Sequence, residues 1–329
     1  QGLFENPDNV GFDGTDQFLI GDAYWNDIAP REELLKTIAS TYAALGVTAW
    51  YSSLPEVDIA NGANFYQARE EKIATLLNDS SRGLSDEQKE YWQNMNSQVE
   101  TPFQYGYYEG WLTINTCFEL LMFAILAVCI VLAPVFSGEY QAGTDAVILS
   151  GKYGKTKLTT AKIIASYLFG LLAFTIHILV AFGLPLAAFG VDGWNLPMQI
   201  AGTTIPYPFT FLQGILVNLG VIYFVLFAMI GLTLLLSSKM KSPYLVLIVL
   251  VPVLFIPMFL SANGTTGTYN LTLFLLPYYA IQPQFGSYIS YQLGGLVLDA
   301  FSTRTILYAA LTVCLLPFAR LGFKKHQVA

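Results

Sequence analysis

Long apolar runs separated by short polar stretches dominate the second two-thirds of the chain. Leu112 to Phe136 holds one charged residue, Glu119, while Ile163 to Phe189 and Leu212 to Leu236 hold none. Each run exceeds the ~20 apolar residues needed to cross ~30 Å of hydrocarbon. Pro243 to Ala262 is as apolar but is interrupted by Pro252 and Pro257, and Thr305 to Phe323 reaches span length once Arg320 snorkels to the interface. The pattern predicts an all-α polytopic membrane protein with five transmembrane helices, at about 112–136, 163–189, 212–236, 243–262 and 305–323. With 54% hydrophobic and only 12% charged residues, the chain departs from soluble usage in the same direction.

Ahead of these runs the pattern changes to amphipathic. Glu32 to Leu45 sets Leu34, Leu35, Ile38, Tyr42 and Leu45 at helical spacing, and Phe65 to Leu77 puts Ile73 and Leu76 on a similar stripe. Ser85-Asp86-Glu87-Gln88 has the form of a capping box opening a third helix. Residues 1–110 are therefore expected to form a small, mainly helical domain. Its aromatics, among them Tyr24, Trp25, Trp50, Tyr51, Tyr91 and Trp92, would supply its core and an interfacial belt, or in part a substrate-binding surface. Tyr105 to Trp111, just before the first span, suits the belt.

Charge gives the orientation. Lys152, Lys155, Lys157 and Lys162 follow the first span, Lys239 and Lys241 the third, and Arg320, Lys324 and Lys325 the last, whereas Val191 to Phe211 has no Lys or Arg. By the positive-inside rule, residues 1–110 and the loop from Ser261 to Arg304 lie outside and the C-terminus lies in the cytoplasm. Residues 1–110 carry 18 acidic and 6 basic residues, and the remainder 5 and 10, so the net −7 averages two unlike halves. An exterior N-terminal region must have crossed the membrane, yet no apolar segment precedes Glu5. The expectation is a fragment whose missing N-terminal span would bring the count to six and place both termini in the cytoplasm.

Cys117, Cys129 and Cys314 all fall inside apolar runs, where buried small residues are the expected role, so the exterior domain must hold together without disulfides. Two histidines, His177 and His326, assemble no metal site. No nucleophile and base stand out as a pair, which argues against an enzyme.

The chemistry concentrates in the loop at residues 137–162. Glu139 and Gly143 share a face if the first helix continues past the membrane. Thr144 or Asp145 can cap a short new helix through Leu149, and Gly151 or Gly154 can end it. Val147, Ile148 and Leu149 give that helix an apolar ridge, which in a cytoplasmic position calls for a partner.

At these residues the chain resembles the ABC-2 type permease family, the transmembrane subunits of ABC exporters. The pattern Phe136-Ser137-Gly138-Glu139, then Gly143-Thr144, Leu149-Ser150, a basic turn and Ala161-Lys162 is similar to that family's segment between its second and third helices. The likeness extends over roughly residues 111–323, with external helices at about 271–300, formed by Leu271 to Tyr279 and Tyr288 to Ala300. Two features depart from the family: the turn Gly151-Lys152-Tyr153-Gly154-Lys155-Thr156 lacks its common Pro and Ser-Arg, and the exterior domain is large.

The resemblance implies a coupling helix that docks on a cytoplasmic ATPase subunit, with Lys152 and Lys155 contacting that subunit or lipid phosphates. It also implies a second permease copy or homologue, a bacterial plasma membrane as the setting, and export of a peptide or amphipathic small molecule. ATP and Mg would bind the partner subunit and no cofactor this chain. Gly154-Lys155-Thr156 ends like a phosphate-binding loop, but position 149 is Leu where that loop needs Gly. No nucleic acid is expected as a partner.

Polar residues within the runs complete the candidates. Glu119 and Asn115, four residues apart, mark a substrate or proton pathway or a hydrogen bond between helices, because an ionised carboxylate there costs about 2.5–3.5 kcal/mol. His177 and Asn218 are expected to bond between helices, with direct substrate contact as the alternative, and Asp299 to be interfacial. The alternative function is a receptor whose exterior domain binds a ligand such as an antimicrobial peptide without transport.

Overall fold

A computed structural model describes residues 2–13, 16–45 and 59–324. Trp50, Tyr51, Lys325 and His326 lie outside the described residues. The fold is mostly helical with two small hairpins, and the chain divides into two compact units.

The first unit comprises Gln1–Gly106 together with Asn195–Phe211 and Phe285–Tyr288, so the domain expected at 1–110 also takes in two distant segments. It opens with a hairpin of β1 (Val10–Asp13) and β2 (Asp16–Leu19), followed by α1 (Glu32–Tyr42), α2 (Phe65–Asn78) and α3 (Asp86–Ser97). The capping box forms as expected: Ser85 Oγ accepts from the Gln88 N–H, and the Gln88 side chain accepts from the Ser85 N–H. Trp92 of α3 is fully buried against the rings of Tyr207 and Tyr288, so the distant segments supply part of this core. Arg69 of α2 is 1% exposed. Its Nε donates to the Thr203 carbonyl at 2.7 Å, Nη1 to Glu70 at 2.6 Å and Nη2 to Asn96 at 2.6 Å. Burial holds the guanidinium below the usual arginine range, against the raising influence of Glu70.

The second unit holds the apolar helices. Glu109–Ala142 runs as α4 (Glu109–Cys117), a tight turn, α5 (Leu121–Leu132) and α6 (Pro134–Ala142), the last break falling at Pro134, which offers no N–H. After α7 (Asp145–Ser150) come α8 (Thr159–Phe189) and α9 (Phe211–Ser237). Among the described residues, four stretches are long and apolar enough to cross a membrane: Glu109–Ala142, Thr156–Phe189, Phe211–Ser237 and Ala300–Lys324. The first and third are 56% buried in their apolar windows and the other two 22%, so α5 and α9 form the centre. On α8, Ile164, Leu168, Leu172, Ile176 and Leu179 make an exposed apolar stripe.

The expected fourth span is shorter than the rest. α10 (Pro243–Phe255) and the tight turn Ile256–Phe259 make 17 apolar residues, and Pro252 and Pro257 each remove a backbone donor. Beyond it lie α11 (Thr268–Leu273) and α12 (Pro277–Ala280). The external helix expected from Tyr288 to Ala300 is instead a hairpin, β3 (Ser290–Leu293) paired with β4 (Leu296–Asp299). Gly294-Gly295 forms the two-residue loop that hairpins favour, and Tyr291, Val297 and Leu298 suit strands.

The last helix, α13 (Ala300–Lys324), begins five residues earlier than expected. Asp299 is buried and its Oδ1 accepts from the Ser302 N–H at 3.1 Å, so it caps α13. The fully buried Arg304 ties α13 to the carbonyls of Phe274 and Gln282.

Candidate functional site

The loop between the first two long helices folds as a compact node. α6 carries Glu139 on its last turns and ends at Gly143, whose left-handed backbone (φ 66°) costs a glycine little. The Thr144 N–H reaches back to the Glu139 carbonyl at 3.0 Å. α7 then starts at Asp145 without a side-chain cap, although Thr144 stands at the capping position, and ends at Gly151. Within α7 the expected ridge divides: Val147 is 75% exposed, Ile148 half-buried and Leu149 buried, as is Asp145. A Cβ on Gly154 would stand 1.8 Å from the Ile148 carbonyl oxygen, so only glycine lets the following turn, Gly154–Leu158, close against α7.

That turn is basic. Lys152 and Lys157 approach the Tyr153 ring at 5.4 and 4.7 Å, and all three are exposed. Lys155 belongs to the same turn, while its side chain lies outside the described residues.

The node is anchored to three long helices. Lys162 of α8 forms an ion pair with Glu139 Oε1 and donates to the Val135 carbonyl at 2.7 Å. Both side chains are largely shielded from solvent, and Glu139 Oε2 is buried without a hydrogen-bond partner among the described residues. Ser237, at the end of α9, does for α6 what a capping residue normally does from the same helix. Its Oγ accepts from the Phe136 and Ser137 N–H groups at 3.0 Å each and donates to the Ala133 carbonyl at 2.6 Å. Tyr140 donates to the Ser238 carbonyl at 3.1 Å, and Phe323 of α13 packs on the rings of Phe136 and Tyr140. Movement of α6 is thereby linked to α8, α9 and α13.

The sequence singled out Glu139 and the loop but missed Ser237, Ser238 and Phe323. Each is an ordinary residue in an apolar context, and only the Pro134 break hints that a donor-acceptor partner is needed there.

The intramembrane candidates do not converge. Glu119 points outward from the chain with no ion pair among the described residues, and Asn115 Oδ1 is buried without a partner. His177 was expected to bond between helices. Its Nδ1 instead lies 2.7 Å from the Ala173 carbonyl of its own helix, because a ring four residues on reaches that oxygen directly. It borders an apolar groove of about 520 Å³ with Leu120, Phe123 and Val180. Asn218 is fully buried and donates to the Ile281 carbonyl at 2.9 Å, in the turn just after α12.

Other expectations shift similarly. Cys129 is buried, whereas Cys314 is exposed on the outer face of α13. Trp111 and Tyr108 are buried, with Trp111 Nε1 donating to the Val191 carbonyl, so they pack inside and only Tyr105 and Tyr107 are exposed. Among the described residues, no group of three or more His, Cys, Asp or Glu is placed to hold a metal ion.

Among the described residues, four helices of spanning length, two small hairpins and an anchored loop define a mostly helical membrane protein. Compared with known proteins, the chain matches no family model, no curated protein and no solved structure.

Proposed function

We propose that the chain is the transmembrane permease subunit of an ATP-driven exporter of ABC-2 type. It would pair with a second permease and two cytoplasmic ATPase subunits. Residues 1–110 would lie outside, and the loop at 137–162 and the C-terminus inside. The observation that carries this reading is the node itself: a short helix presenting Val147 outward, tied through Glu139–Lys162 and the Ser237 cap to three long helices. Such a helix suits the receipt of a push at one point and its delivery to several spans at once. The orientation is supported by the run of lysines at this end and by the acidic N-terminal region.

ATP and Mg would bind the partner subunit, which supplies the hydrolysis. Closure of the ATPase dimer presses on α7. Because Gly154 holds the following turn against α7, that push reaches α8 directly, and through α6 it reaches α9 and α13. Lys152 and Lys155, with Lys157 beside them in the chain, meet acidic ATPase residues or lipid phosphates. Glu119, outward and without an ion pair among the described residues, faces the second permease across the pathway.

A photo-crosslinking residue placed at Val147 in the native membrane tests the reading. The expected product is a crosslink to a nucleotide-binding ATPase that is absent when the probe stands at buried Leu149. Crosslinks to lipid alone would contradict it.

A further inference from the structure

α8 and α13 are the spanning helices with least of their apolar surface covered, 22% of each apolar window being buried against 56% in the other two. The start of α8 and the end of α13 line one groove of about 690 Å³. Its polar residues gather at one end: Thr160 stands in the first turn of α8, and Arg320 and Lys324 in the last turns of α13. From there the wall becomes apolar through Ile164, Leu321 and Pro317 to Val313, roughly 16 Å back along α13 at about 1.5 Å per residue. Arg320 and Lys324 make no ion pair with any described residue, and no acidic side chain lines the groove.

Charge and apolar wall together decide the occupant. An apolar wall alone is what any spanning helix turns to acyl chains, and basic residues near the end of a span ordinarily snorkel to water. Here two cations without a counter-charge share one cavity with the wall. A soluble phosphate would leave the wall uncovered, and a zwitterionic lipid would bring its own ammonium to the cations. A helix from a second copy would strip water from both cations unless it supplied carboxylates. An anionic headgroup carrying acyl chains matches the groove from one end to the other.

We propose that this groove holds one anionic phospholipid, its phosphate on Arg320 and Lys324 and one acyl chain along Ile164, Leu321 and Val313. The lipid ties the start of α8 to the end of α13. These helices carry Lys162 and Phe323, which anchor α6, so the bound lipid braces the same node. The inference rests on the chain spanning a membrane and not on the exporter reading.

Native mass spectrometry of the full-length protein in mild detergent tests it, with phosphatidylglycerol or phosphatidylcholine of the same acyl chains added. One phosphatidylglycerol per chain should be retained at least about 10-fold more tightly than phosphatidylcholine. Arg320→Gln/Lys324→Gln should remove that preference, whereas Lys239→Gln/Lys241→Gln, which takes away two exposed charges outside the groove, should keep it. Equal retention of the two lipids, an unchanged preference in the first variant, or equal loss in both variants overturns the proposal. Displacement of the lipid by excess inorganic phosphate also overturns it, by marking a site for a free anion. A second measurement uses the unaltered protein and needs no variant to fold. Phosphatidylglycerol with a diazirine on its acyl chain, in phosphatidylcholine nanodiscs, should label 163–164 and 313–321 ahead of the exposed stripe at Ile176 and Leu179. Labelling spread evenly along α8 would contradict a built site.

Discussion

Ser237 carries more of the node than its size implies. The break at Pro134 leaves N–H groups at the start of α6 that the helix itself cannot satisfy, and one hydroxyl from α9 takes two of them. Ser237→Ala would strand both in a buried setting, at a cost of about 1–3 kcal/mol, read as a lower midpoint of thermal unfolding in detergent. Glu139 differs in kind, since its Lys162 partner keeps the Val135 carbonyl when the carboxylate is gone. Glu139→Ala is therefore expected to leave assembly intact while uncoupling ATPase activity from substrate; unchanged transport would remove it from the mechanism. Arg69 is a structural counterpart in the first unit. Arg69→Met removes bonds to Glu70, Asn96 and Thr203 together, and about 3–5 kcal/mol is the expected loss for breaking so buried a charged cluster, measured by Trp fluorescence during denaturation. None of these partners could be paired from the sequence, because hydroxyl and guanidinium contacts are set by which distant segments meet.

Helices fared better, for a physical reason. A membrane span is a local property, an apolar run long enough to cover the hydrocarbon, so 163–189 and 212–236 agree closely with α8 and α9. The capping box of α3 is equally local. Errors came where two local rules competed. The family resemblance implies an external helix from Tyr288 to Ala300, whereas the Gly294-Gly295 loop between β-favouring residues fixes a hairpin. The fourth run, Pro243–Phe259, is shorter than the other apolar helices because its prolines end the regular helix early. α7 was legible as a short helix, yet its orientation was not, since burial of Leu149 and exposure of Val147 depend on the turn closed by Gly154. Gly154→Ala forces that turn away from the Ile148 carbonyl. Substrate-stimulated ATPase activity of the assembled complex should fall at least about 10-fold, and wild-type stimulation would show that the α7 position is not used.

Across the whole molecule, two unlike units share one chain and interleave in sequence. The first takes Asn195–Phe211 and Phe285–Tyr288 from loops between long helices, an arrangement no linear reading of residues 1–110 contains. Charge was legible at this scale because it is additive: the acidic N-terminal region and the lysine-rich loop give opposite signs without any contact being known. The orientation proposed from them makes a direct prediction. A membrane-impermeant maleimide should label a cysteine introduced at exposed Asp86 in intact cells, and one at exposed Val147 only after permeabilisation, in a background lacking Cys117, Cys129 and Cys314. The central claim, that this chain works with an ATPase, is tested most directly by affinity purification of the full-length protein from its native membrane in mild detergent, with mass spectrometry of what remains bound. A nucleotide-binding ATPase in stoichiometric amount is the predicted result; a folded protein that retains no ATPase would contradict the account.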